Sequence, residues 1–115
     1  MAAMEDALEK INSSAHTKEL FEKLMKEVDA LGVNEVERKK TSLHISHGRA
    51  FLGVHPRSNG LLLNIVLDSP LTIGRVKKTE QVSKNRFHNE ILVTEQNEID
   101  KELVGFIDKA YSLTN

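Results

Sequence analysis

The sequence predicts an α+β fold: an antiparallel sheet of about four strands with an N-terminal and a C-terminal helix packed on one face. Three observations carry that expectation. Apolar residues recur at helical spacing near both ends of the chain, they alternate at period two in the middle, and no helical stretch separates successive strands as a parallel crossover requires.

Leu20, Phe21, Leu24, Val28 and Leu31 form the first helical stripe, with Glu19, Lys23, Lys26 and Glu27 on the opposite side. Thr17 is placed to cap this helix and Gly32 to end it. Before it, Met4, Leu8 and Ile11 are too sparse for a second firm element. Residues 1–14 are therefore read as a flexible segment or linker, and 15–115 as one domain.

Leu43 to Ser46 and Arg49 to His55 read as strands joined at His47-Gly48, where glycine supplies a tight turn. Arg57-Ser58-Asn59-Gly60 is a second turn, and the alternating Leu61, Leu63, Ile65 and Leu67 after it mark a central strand. Leu71 to Lys84 reads as a basic, irregular connection. Phe87, Asn89, Ile91 and Val93 give the fourth strand. Ile99, Leu103, Phe106, Ile107 and Ala110 place a last helix over about 95–113, with Thr94 as its cap.

At 115 residues the chain has room for one core. It contains no cysteine, which excludes disulfides, thiolate nucleophiles and thiolate metal sites. Its longest apolar run, Leu61 to Leu67, is interrupted by Asn64 and is far shorter than a spanning helix. Met1 to Glu9 is acidic and has no apolar h-region, so a cytoplasmic location is expected.

Charge is segregated along the chain. Residues 1–37 hold four lysines against nine acids (−5), residues 38–88 ten cations against two acids (+8), and residues 89–115 two lysines against six acids (−4). Arg38, Lys39, Lys40, Arg49, Arg57, Arg75, Lys77, Lys78 and Arg86 are the candidate anion-binding or nucleic-acid-binding residues, with Lys84 beside them. The same charges also fit solvated loops that balance acidic helices.

No catalytic or cofactor motif is present. His44 and His47 are three apart, which on a strand puts them on opposite faces and prevents chelation; no metal site and no cofactor are expected. There is no G-x-S-x-G turn, and Gly48, Gly53, Gly60 and Gly74 match neither phosphate-binding nor dinucleotide-binding fingerprints.

Val36-Glu37, Thr41, Ile45, Gly48-Arg49, Phe51, Val54, Pro56, Gly60-Leu61 and Leu63 follow one another in a distinctive order. This pattern resembles the domain-of-unknown-function family 5655, over roughly residues 17–112. Ser42 stands where that pattern commonly has lysine, His47 where it commonly has an aromatic, and Arg86-Phe87-His88-Asn89 where it is richer in glycine. The resemblance implies an accessory or binding module rather than a catalyst, and Arg49 is the polar position it carries over.

The expected function is thus a non-enzymatic binding domain whose basic sheet-and-loop surface engages an anionic partner, nucleic acid above all. Two alternatives stand beside it: a self-associating homodimer, and a small-molecule binder with a pocket between helices and sheet lined by Phe51, Phe87 and His55.

Overall fold

Leu61, Leu63, Ile65 and Leu67 alternate because one side of their strand is wholly withdrawn from water. In the computed structural model, which describes residues 6–114, this strand is β4 (Gly60–Leu67). It pairs with β3 (Arg49–Arg57) on one side and β6 (Arg86–Val93) on the other. β2 (Leu43–His47) continues the sheet beyond β3.

The expectation of about four strands is corrected to six. β1 (Glu35–Arg38) adds outside β2 and β5 (Val76–Ser83) outside β6, giving the all-antiparallel order β1-β2-β3-β4-β6-β5. Both additions are edge strands. All four residues of β1 are exposed, as is every residue of β5 after Val76, so neither shows an apolar alternation. Their charged side chains also discourage pairing with another chain.

α2 (Ala15–Leu31) buries Leu20, Leu24 and Val28, and α3 (Lys101–Ser112) buries Leu103, Ile107 and Ala110. Both stripes join one core with Leu43, Ile45, Leu52, Val54, Ile91 and the inward residues of β4. The helices therefore lie on one face of the sheet, as the sequence predicts.

The helix starts differ from expectation. Ser14, not Thr17, occupies the N-cap of α2. The Thr17 hydroxyl donates to the Ile11 carbonyl at 2.6 Å and ties α2 to the preceding chain. The last helix begins at Lys101 rather than near 95, because Glu98 folds back to accept from the Thr94 and Glu95 amides and closes a 3-10 turn over Gln96–Glu98. Asp100 then caps α3 by accepting from the Leu103 amide at 2.9 Å.

The linker expected over residues 1–14 is corrected for its described part. Ala7–Asn12 is a helix, α1, capped by Asp6 and burying Ala7 and Ile11 in the main core. Residues 1–5 lie outside the described residues.

Two local devices close the helix-side face. A register shift in the β2–β3 ladder leaves Phe51 unpaired between Ala50 and Leu52, and Phe51 packs edge-on against Tyr111. Tyr111 also stacks on His47 and donates to the Val33 carbonyl at 2.9 Å. Gly32 passes beneath this ring with φ +145°, where a β-carbon would meet the Tyr111 hydroxyl. No helix among the described residues is long and apolar enough to cross a membrane.

Candidate functional site

Strand alternation dictates what the other face presents. Glu37, His44, Gly53, Asn64, Glu90 and Lys78 form one row of cross-strand partners from β1 to β5. His55, Leu62 and Leu92 form the next row on one side, and Val66, His88 and Glu80 the row on the other. The three helices contribute their buried stripes to the opposite face, so among the described residues no layer covers this polar, histidine-bearing face.

The centre of the face is chemically distinctive. Asn64 and the Nδ1 atom of His88 share a hydrogen bond of 3.1 Å. With the amide nitrogen donating, as the side chain is oriented, His88 carries its proton on Nε2. That Nε2 and the Asn64 carbonyl oxygen are both buried without a protein partner. Burial is the main force lowering the His88 pKa, with Arg86 adding to it against Glu80 and Glu90. The His55 pKa is likewise lowered, first by burial and then by Arg57. Both imidazoles are held toward the neutral form.

The nine candidate cations do not gather into one surface. Arg38, Arg49 and Arg75 belong to the helix side: Arg38 pairs with Asp6 at 2.9 Å, and Arg49 donates to the Leu113 carbonyl at 3.3 Å. Arg75 holds Asp100, Glu102 and the Glu98 carbonyl, fastening the β4–β5 connection to the start of α3. Its pKa is raised because the bonds to Asp100 and Glu102 outweigh the opposing effect of burial. Lys39 pairs with Glu37 at 3.1 Å, and Lys40 is exposed in the β1–β2 loop.

Arg57, Lys77 and Lys78 remain on the uncovered face and its rim, with no carboxylate within 4.0 Å among the described residues, whereas Arg86, its Nε buried, lines a cleft at the sheet end with Arg49, Asp68 and Leu113. Arg57 and Lys77 line one groove at the β3–β4 turn, together with Leu62 and Leu92. Arg86 lies at the far end of β6, roughly 20 Å away by strand rise.

Phe51, Phe87 and His55, expected to line one pocket between helices and sheet, do not share one: Phe51 lines a small cleft between the sheet and the end of α3 with Ala110 and Leu113, and neither Phe87 nor His55 reaches it. Phe51 is fully buried, and Phe87 pairs with inward-facing Leu67, whereas His55 pairs with Leu62 on the other face. Asn64, Leu62 and Leu92 are site residues that sequence reasoning did not single out. The only trace of the first is its interruption of the apolar run in β4. His44 and His47 do fall on opposite faces: one pairs with Gly53, the other stacks on Tyr111. No group of three His, Asp or Glu side chains among the described residues is arranged to hold a metal ion.

Fold and site together define a small α+β domain with one helix-covered and one uncovered sheet face. The family model for a domain of unknown function, DUF5655, matches residues 5–114, and the chain belongs to that family. The match takes in α1 as well as the sheet and the two longer helices. No curated protein and no solved structure matches the chain.

Proposed function

We infer that this domain is a non-enzymatic binding module that engages an anionic partner, nucleic acid foremost, through its uncovered sheet face. The observation that carries the reading is the sorting of the cations. Arg38, Lys39 and Arg75 are matched by carboxylates, while among the described residues Arg57, Lys77 and Lys78 on the uncovered face and its rim have none within 4.0 Å; Lys40, Arg49 and Arg86, also without one, lie in a loop or at the sheet end beside α3. Unmatched cations around a polar face raise the local concentration of anions. Beneath those cations the Asn64–His88 hydrogen bond of 3.1 Å fixes the side chains at the centre of the face.

A homodimer through a sheet edge fits less well. Lys77, Lys78 and Glu80 on β5, and Glu35, Glu37 and Arg38 on β1, are the side-chain types that keep edges apart.

Fluorescence anisotropy with labelled single-stranded and duplex DNA and RNA, over 25–200 mM salt, tests the reading. Engagement of three cations on a single strand gives a slope of about −2 for log K against log salt. Absence of binding to every probe at the lowest salt, or binding indifferent to salt, overturns it.

A further inference from the structure

At the β3–β4 turn, the uncovered face changes character. Leu62 and Leu92 are direct cross-strand partners, half-buried although no helix packs on them. They floor a groove of about 390 Å³, within the range of small-molecule sites. Arg57 and Lys77 stand on its rims, and none of its lining residues is acidic. Ser58, Asn59 and Thr94 add hydrogen-bonding groups.

The position of Lys77 depends on an irregularity. Val76 pairs with Ile91 and Lys78 with Glu90, so Lys77 is an extra residue in the β5 ladder. A bulge of this kind re-aims a side chain, and here the lysine lines the groove beside Leu62 and Leu92.

We propose that this groove binds one nucleotide, its base lying on Leu62 and Leu92 and its phosphate held between Arg57 and Lys77. The proposal rests on the functional reading above and narrows it to a ligand and a subsite. Two cations without a carboxylate partner complement a phosphate. The floor is one cross-strand pair wide, about 5 Å between β-carbons, and is bounded by the polar row of Asn64 and Glu90. That is the scale of a planar ring, and too short for an acyl chain. His55, the cross-strand partner of Leu62 on its other side, lies next to the floor without lining the groove. Its lowered pKa keeps that neighbour neutral.

Titration of the 15N-labelled full chain with adenosine 5′-monophosphate, adenosine or inorganic phosphate tests the site. The monophosphate should shift the amides of Gly60, Leu62, Lys77 and Leu92, and both fragments should bind at least about tenfold more weakly. Arg57→Ala, Lys77→Ala and Leu62→Ala should each weaken monophosphate binding by about tenfold. A pentanucleotide that shifts the same amides and competes with the monophosphate identifies a strand as the source. A pentanucleotide that does neither identifies the free nucleotide. Phosphate binding as tightly as the monophosphate, or shifts confined to other residues, overturns the proposal. If oligonucleotides bind with salt dependence while the groove amides stay still, the subsite fails and the broader reading stands; if nothing binds, both fail.

Discussion

Replacing Asn89 by alanine tests how the uncovered face is held in shape. Asn89 is fully buried on the helix side of β6, where apolar side chains surround it. Its carbonyl oxygen accepts from the Leu71 amide at 2.9 Å and the Thr79 hydroxyl at 3.1 Å. Its amide nitrogen donates to the Ile65 carbonyl at 3.3 Å, with Ser69 and Phe87 carbonyls at 3.5 Å. One side chain thus joins β4, the β4–β5 connection and edge strand β5. Alanine strands the Leu71 amide, at roughly 1–3 kcal/mol, and removes two further bonds worth about 1 kcal/mol each, for a total near 3–5 kcal/mol. Unfolding entropy of roughly 2.1 cal/mol/K per residue gives about 0.24 kcal/mol/K for a chain of this length, so Tm should fall by about 12–21 °C. Thermal unfolding followed by circular dichroism reads the shift, and hydrogen exchange should show protection lost first along β5. A fall of less than about 3 °C, or undiminished β5 protection, refutes the assignment of Asn89 as the tie.

Two further outcomes follow from local geometry and from titration. Gly60→Ala should destabilise the protein by about 2 kcal/mol or more in urea unfolding, because the new β-carbon collides with the Val93 carbonyl and lies 3.1 Å from the Thr94 methyl. His55 and His88 have pKa values lowered from 6.5, so below that pH the unfolded chain takes up protons that the folded chain resists. Stability is then complete above pH 6.5 and declines as pH falls from 6.5 toward the folded values. His55→Gln should flatten the decline in Tm between pH 7 and 5. Asp6, Glu98 and Asp100 act in a separate window, since their lowered pKa values place their losses below 3.8–4.5.

The centre of the fold was legible because burial imposes a period. β2, β3, β4 and β6 each bury residues against the helices, and α2 and α3 answer with stripes at helical spacing. β1 and β5 bury almost nothing, so no pattern marks them, and α1 is only six residues long with two buried positions. The candidate site was less legible. Which cations are neutralised depends on partners far away in sequence: Arg38 meets Asp6 across 32 residues, and Arg75 meets Asp100 across 25. The apolar floor requires the register that sets Leu62 against Leu92, and the aim of Lys77 requires a ladder irregularity. Charge segregation marked residues 38–88 as a block without separating rim from helix side.

The lysines of β5 admit two explanations, and one substitution separates them. An edge strand needs charge to remain unpaired, and Lys77 and Lys78 meet that need whether or not a ligand exists. Edge protection is indifferent to sign. Anion binding is not. Lys77→Glu preserves a charged edge but places a carboxylate on the groove opposite Arg57, where it competes for the guanidinium and repels phosphate. The variant should therefore remain monomeric in light scattering and unfold within about 0.5 kcal/mol of the parent, as exposed surface changes do. Its affinity for single strands should nevertheless drop by tenfold or more, and the salt slope should shrink by about 0.7 for the lost phosphate contact. Unchanged affinity and slope would assign Lys77 to edge protection alone.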